Sequence, residues 1–392
     1  MKKVRMGIIG IGNMGSAHAK ALFQGKAVGL ELTAVCDIDA ERLKWAQQTF
    51  GPSVSLYTDY RLLIKDGIAD AILIATPHGL HPSIAIDCFD AGLHVLTEKP
   101  AGIDIMHVRQ MNEAAGKSGK VFGIMFNQRT NPLFARLKSL VEEGVLGEMK
   151  RFVWIINNWY RTQAYYDSES WRGSWKGEGG GVLINQGHHN LDIWQWITGM
   201  PSRIRAFCKY GHYHNITVED DVTILAEYDN RASAVFISST GEYPGTNRME
   251  YSGSKGKAVI EEGILKLYLY EKDEREFCFS SDESCPRLDV RYEEFKPQDS
   301  GSGHIGILQN FADAILSDKP LLAPGYEGIN GLSICNAAYI SDWMDCWVDL
   351  PPDEELYSRM LKEKQDKEKS PIKNRNSEKP DNGYSERWQV RW

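Results

Sequence analysis

The sequence predicts an α/β protein of two domains: a doubly wound parallel sheet, then mainly antiparallel strands with helices. Three observations carry this. The 392 residues exceed one typical hydrophobic core and suit two. Through residue 127, short apolar strands alternate with helical stretches, the pattern of a parallel sheet. From Met149 to Phe279 apolar residues recur with period two instead, the pattern of antiparallel strands with one face covered.

The first strand, Val4 to Ile9, runs into Gly10-x-Gly12-x-x-Gly15 and then a helix. Strand, glycine turn and helix in that order are the context a dinucleotide fingerprint requires. Gly10 permits the tight turn, Gly12 lets the backbone approach a pyrophosphate, and Gly15 lets the helix pack on the strand. Asn13 and Met14 lie in the same turn, where a helix N-terminus presents N–H groups and partial positive charge to phosphates. The next strand, "LELTAVCD", ends in Asp37, 22 residues after Gly15. A carboxylate there holds a ribose 2′-hydroxyl and repels a 2′-phosphate, so NAD is the expected cofactor. Arg42 stands close enough to keep NADP as the lesser option.

The alternation continues with strand "ADAILIAT", helix "HPSIAIDCFDAG", strand "LHVLTEKP", helix "GIDIMHVRQMNEAAGKSG" and strand "KVFGIMFN". Ligands of such sheets lie outside the strand C-termini. Thr76, Pro77 and His81 after one strand, and Glu98 and Lys99 after another, are therefore candidate cofactor contacts. Lys99 stands between an acid and Pro100, which restricts the backbone before it and admits a cis bond. That is a rigid mount for a functional ammonium.

Further along, "GGGVLINQGHHNLDIWQWITG" runs from Gly179 to Gly199. Its three leading glycines would let the backbone pass close to a ligand or a ring where a side chain would collide. Asn185 and His189 share one face if the helix already begins at Asn185. His188 then points elsewhere, which argues against a two-histidine metal site, and Asp192 is spaced to orient the His189 ring or cap the helix. The preceding "NNWYRTQAYYDSESWRGSWKGEGGG" combines tryptophans and tyrosines with arginines. Aromatic faces cover the C–H face of a sugar ring while polar groups bond its hydroxyls. Trp159, Arg161 and Trp175 are the candidates, with Asn127 and Arg129 from "FNQRTNP". His212 and His214 lack cysteine or carboxylate neighbours at ligand spacing, and no metal is expected.

The net charge of −8 argues against nucleic-acid and membrane-surface partners. Seven scattered cysteines without a Cys-x-x-Cys pair suit a reducing compartment, and the cytoplasm is the expected location. Glycines and Asn13 interrupt the apolar N-terminal stretch, unlike a signal peptide, and no run of about 20 apolar residues occurs. The expected boundaries are 1–127 for the nucleotide domain, 128–350 for a substrate and oligomerisation domain, and 351–392 for a charged extension. The helices "GILQNFADAIL" and "GINGLSICNAAYISDWMDCW" are expected to pack back between the domains. The extension reads as solvated, and its end, "YSERWQVRW", as a segment that docks on the chain itself or on a neighbouring subunit.

Through "GIIGIGNMGSAHAKAL", "LIATPHGLHPSIAIDCFDAGLHVLTEKP", "GGGVLINQGHHNLDIWQWITG", "VEDDVT" and "NFADAIL…PLLAPGYEGINGL", the chain resembles the Gfo/Idh/MocA oxidoreductases from Lys3 to Pro351. The resemblance implies a C-terminal α/β domain with a large open-faced sheet, which often forms the interface of a homo-oligomer, here expected as a dimer or tetramer. It implies NAD(P)-dependent oxidation or reduction of a secondary hydroxyl on a sugar, cyclitol or glycoside. It also implies that Lys99, the lysine of Glu-Lys-Pro, contacts substrate hydroxyl and nicotinamide, and that His189 is the acid/base. Asn185 departs from the pattern, since inositol-dehydrogenase-type members carry aspartate there. Asparagine can hold a hydroxyl but carries no charge. Oxidising an alcohol sends a proton to a base, worth about 10²–10⁴-fold when positioned. Lys99 and His189 are both candidates for that proton. An NAD-assisted glycoside-cleaving enzyme is an alternative within the family, as is a non-catalytic NAD- and sugar-binding regulator; retention of Lys99 and His189 disfavours the regulator.

Overall fold

Short runs of Ile, Val, Leu and Ala in the first third of the chain form strands because both their faces find cover. The computed structural model describes residues 3–368, which fall into two compact units. Among the described residues, one is built from 3–127 with Ser302–Leu332, the other from Gln128–Gly301 with 333–368.

In the first unit the order is β1 (Val4–Ile9), α1 (Asn13–Phe23), β2 (Leu30–Cys36), α2 (Ala40–Phe50), β3 (Ser55–Tyr57) and α3 (Tyr60–Lys65). Then come β4 (Ala71–Ile74), α4 (His81–Asp90), β5 (His94–Thr97), α5 (Ile105–Ser118) and β6 (Phe122–Ile124). All neighbours are parallel, in the order β3-β2-β1-β4-β5-β6. This is the doubly wound arrangement, with its switch point between β1 and β4. Every residue of β4 is fully buried. Asp39, Asp59 and Asp104 each accept a backbone N–H at the start of α2, α3 and α5, which fixes where those helices begin. The helix α10 (Gly303–Ser317) belongs to this unit, whereas the sequence places residues 302–332 with 128–350. The Gln309 amide on α10 brackets the Val28 backbone, accepting its N–H at 2.7 Å and donating to its carbonyl at 3.1 Å.

The second unit contains α6 (Pro132–Glu142), β7 (Met149–Ile156), α7 (Gln163–Asp167), α8 (His188–Thr198), β8 (Arg203–Tyr210), β9 (Glu219–Glu227) and β10 (Ser233–Ser239). It continues with β11 (Asn247–Gly253), β12 (Gly256–Glu261), β13 (Ile264–Tyr270), α9 (Glu274–Ser280) and β14 (Val290–Phe295). The helix α11 (Gly328–Met344) enters it from the first unit, followed by β15 (Val348–Asp349) and α12 (Glu354–Lys367). A nine-stranded sheet runs β14-β13-β12-β11-β7-β10-β9-β8-β15, and only β7 and β10 pair in parallel.

Alternation along β7 sorts its two faces: Phe152, Trp154 and Ile156 are buried, while Val153 and Ile155 are half-exposed. On the inner face the α8 residue Trp194 stacks between Phe152 and Phe236, with ring centroids 6.1 and 5.8 Å away and planes within 10°. Its indole N–H donates to Tyr228 Oη at 2.8 Å, so the buried polar atom is satisfied. Trp194 is thus a core residue, while Trp196 of the same helix is half-exposed.

The extension expected to be solvated contains α12. Asp353 caps it, Glu354 and Glu355 open it, and Lys364 and Lys367 close it, all matching the helix dipole. Tyr357 and Leu361, one turn apart, are buried. Beyond it the Glu368 carboxylate accepts the N–H groups of Trp175 and Lys176 at 2.7 and 3.0 Å and the Thr217 hydroxyl. The "YSERWQVRW" segment lies outside the described residues.

Candidate functional site

The glycine turn of the first unit is sterically committed. Gly10 has φ +86°, and a Cβ there would sit 2.7 Å from the Ala75 carbonyl oxygen. A Cβ on Gly15 would fall 1.8 Å from the Gly10 carbonyl oxygen. At Gly12, by contrast, the nearest atom would be Arg42 Nη1 at 3.6 Å, so the turn is open where a pyrophosphate would approach. No side chain caps α1 at Gly12, and its N-terminal end around Asn13 and Met14 is available to an anion. Asp37 is anchored by the N–H groups of Ile11 at 2.8 Å and Asp39 at 2.9 Å, with Arg42 Nη1 at 3.4 Å. This donor and acceptor set fits NAD, with the turn for its phosphates and Asp37 for its ribose.

Two strand ends beside the turn are tied together. His81 is fully buried, and its ring nitrogens lie 2.8 Å from the carbonyl oxygens of Thr76 and Pro100. Burial lowers its pKa. Its ring nitrogens are committed to the chain, so His81 braces the loops after β4 and β5; the direct cofactor contact expected of it has no ring atom to use. Thr76 Oγ1 is buried with no partner among the described residues, beside Pro77.

Glu98 follows β5 and is buried, with Oε1 2.6 Å from His18 Nε2 and Oε2 accepting the Lys99 N–H at 3.2 Å. Burial opposes its charge, but the hydrogen bond from His18 and the Lys99 ammonium hold the carboxyl below its usual range. Burial pushes the neighbouring His304 down to about 4, so at neutral pH its ring carries no charge. The backbone N–H of Lys99 is therefore held by this carboxylate, and a cis peptide bond joins Lys99 to Pro100.

In the second unit the glycines before α8 do pass a ring, and it belongs to the chain itself. A Cβ on Gly180 would lie 2.1 Å from Tyr339 Oη, and one on Gly181 would lie 1.9 Å from the Glu219 carbonyl oxygen. The Glu219 carboxylate fastens the turn, accepting Gly181 and Leu183 N–H groups at 2.9 Å each and the Tyr339 hydroxyl at 2.8 Å. Burial raises the Glu219 carboxyl to about 7.

The helix α8 begins at His188, so Asn185 and His189 do not share a helical face. Asn185 sits in the preceding turn, closed by its N–H to the Gly181 carbonyl at 3.0 Å and by Gly187 N–H to Val182 O at 2.6 Å. His189 is buried in the first turn of α8. The Asn185 amide donates to the Glu178 carboxylate and, at 3.3 Å, to Tyr165 Oη. Arg172 and Gln186 also donate to Tyr165 Oη, at 2.7 and 3.0 Å, and Glu178 accepts the Gly173 N–H at 2.8 Å. Glu178 and Tyr165 escaped the sequence reading; the one local signal was an acid directly before the glycine run.

The substrate candidates separate. Arg129 forms a two-pronged ion pair with Asp192, Nε to Oδ2 at 2.9 Å and Nη2 to Oδ1 at 2.6 Å, with both side chains 1% exposed. It offers a ligand no accessible surface, and the α8 start carries no side-chain cap. Trp175 is 3% exposed in a cluster with Tyr210, Tyr339 and Trp343, so it too packs the interior and presents no face to a sugar. Trp159 and Asn127 are buried as well. Arg161 is half-exposed over the Tyr165 ring, its guanidinium 5.0 Å from the centroid. His214 does have a carboxylate partner, Asp220, at 2.9 Å, six residues away across a turn.

A doubly wound sheet with this glycine turn and acid defines an NAD-binding oxidoreductase. Residues 4–126 match the family described as "Oxidoreductase family, NAD-binding Rossmann fold", and 134–259 match the GFO/IDH/MocA C-terminal domain. The chain belongs to the Gfo/Idh/MocA family. It is 30% identical over 208 residues to the rhizopine catabolism protein MocA of Rhizobium meliloti, covering 52% of this chain and 61% of that one. It is 24% identical over 346 residues to a myo-inositol 2-dehydrogenase of Thermotoga maritima, covering 86% and 95%. Among solved structures, the WlbA dehydrogenase of Bordetella pertussis, in complex with NADH and UDP-GlcNAcA, superposes with a TM-score of 0.75 at 26% identity, covering 90% of this chain and all of that one. No helix among the described residues is long and apolar enough to cross a membrane.

Proposed function

We infer that the protein is an NAD-dependent dehydrogenase acting on a secondary hydroxyl of a sugar, cyclitol or glycoside, with Lys99 and His189 as its acid/base pair. One observation carries the reading: Lys99 is mounted at the C-terminal end of β5, on the sheet edge that also bears the glycine turn and Asp37. In the doubly wound fold that edge is where the dinucleotide lies. Relatives named for inositol, and a solved relative holding a nucleotide sugar, support a polyhydroxylated substrate. When bound, NAD supplies the hydride acceptor. The Lys99 ammonium stabilises the developing alkoxide and His189 receives the hydroxyl proton. Asn185 holds a hydroxyl without exchanging a proton, because an amide does not titrate. The seven free cysteines suit a reducing cytoplasm.

NADH absorbance across inositols, nucleotide sugars, free sugars and glycosides, with product analysis, tests the reading. A stoichiometric ketone and NADH is the expected outcome. Aglycone release without net NADH would replace dehydrogenation with glycoside cleavage, and no turnover across the panel would overturn both.

The homo-oligomer belongs to the same proposal. Val153, Ile155, Phe207, Leu225, Val235 and Ile237 line the open face of the nine-stranded sheet, an apolar patch of the kind that marks an interface. Leu225→Glu is expected to shift the protein from dimer or tetramer to monomer by light scattering, while its circular dichroism is retained. An unchanged mass would remove the sheet from the interface.

A further inference from the structure

We propose that Glu178 is a positioning residue. It locks the Asn185 side chain as a hydrogen-bond acceptor and keeps the negative charge of this subsite off residue 185. The proposal rests on the reading that Asn185 meets the substrate.

The argument starts from what each group is able to do. Glu178 is 1% exposed, and a carboxylate only accepts hydrogen bonds. The part of the Asn185 amide that faces it is therefore the NH₂ group. The second amide hydrogen points to Tyr165 Oη at 3.3 Å. That oxygen has two lone pairs and closer donors in Arg172 and Gln186, so the contact is weak and Glu178 provides the lock. Whatever else Asn185 meets, it meets through Oδ1, an acceptor. An aspartate at this place would also accept, but with a charge of its own. Here the charge stays on Glu178, held by the Gly173 N–H at 2.8 Å and by Arg172 at 3.9 Å.

The two residues form a matched pair. Aspartate at 185 would press two carboxylates into hydrogen-bond contact, where both cannot ionise near neutrality. Asn185 with Glu178 therefore preserves the acceptor geometry with one charge, and a swap of the pair preserves it equally.

Asn185→Asp, Glu178→Gln and the double variant test this. In N185D the shared proton raises one folded carboxyl pKa above its unfolded value. The stability that proton confers is complete below the unfolded pKa and is lost as pH rises through the folded one. The melting temperature of N185D, measured from pH 4 to pH 9 with NAD present, is expected to fall away from wild type as pH rises. E178Q/N185D is expected to restore the wild-type curve. On the substrate found active in the panel, E178Q is expected to lower kcat about tenfold, as loss of a charge-assisted hydrogen bond does. N185D is expected to add an ionisation to the pH profile that the double variant removes. Identical pH–stability curves for N185D and the double variant would overturn the pairing, and an unaltered kcat and KM in E178Q would overturn the positioning role. If the wild type turns over nothing in the panel, the dehydrogenase reading fails on its own, and the melting curves still decide the pairing.

Discussion

Lys99→Met is expected to lower kcat by about 10²–10⁴-fold, the range for removing a positioned proton-transfer or electrostatic group. NADH affinity is expected to stay near wild type. The separation follows from the geometry of the first unit. The groups closest to Gly10, Gly12 and Gly15 are Ala75, Thr76, Arg42 and the Gly10 backbone, and Asp37 is held by the N–H groups of Ile11 and Asp39; the Lys99 side chain is not among these contacts. The Glu98 bond that pins residue 99 runs through its backbone N–H, which methionine retains. What disappears is the ammonium alone. Lys99→Arg is expected to recover little, because a planar guanidinium is a different shape of donor and a far weaker acid than an ammonium. NADH fluorescence titration beside steady-state kinetics is the measurement. A kcat within threefold of wild type would leave the proton chemistry with other residues.

The nucleotide unit was legible because its signals are local. The glycines, the apolar strand before them and Asp37 all act on neighbours in the chain, so spacing alone reveals them. The second unit hid more. Tryptophan and arginine near a glycine run suit both a sugar site and a core, and the choice depends on contacts far along the chain. Trp175 meets Tyr339 and Trp343, and Arg129 meets Asp192; neither partner is visible from its own segment. The shared face of Asn185 and His189 depended on where α8 begins, and it begins at His188 because the Gly181–Gly187 segment closes as a turn with i→i−4 and i→i−5 bonds of its own. The helix α12 was missed for another reason. Its charge density suggested a solvated segment, while only Tyr357 and Leu361, one turn apart, marked the buried face. Glu178 escaped because its partner lies on the far side of three glycines.

Arg129→Met is expected to destabilise the fold by about 3–5 kcal/mol, the cost of leaving one member of a buried ion pair behind. Asp192, 1% exposed, would lose the two-pronged guanidinium contact, and the Gln195 amide at 3.0 Å does not supply a matching charge. Its carboxyl pKa in the folded variant then rises above the unfolded value. Stability is retained below the unfolded pKa and lost as pH rises through the raised one, so the defect grows from acid to neutral pH. Arg129→Met with Asp192→Leu removes both charges and is expected to return most of the loss, since a buried pair replaced by apolar groups is often neutral or better. Urea unfolding of the two variants at pH 5 and pH 8 separates this structural role from the substrate contact suggested by the motif. A substrate contact would raise KM at unchanged stability. Full stability in Arg129→Met would show that the pair with Asp192 is dispensable, and equal instability in the double variant would place the cost in packing rather than charge.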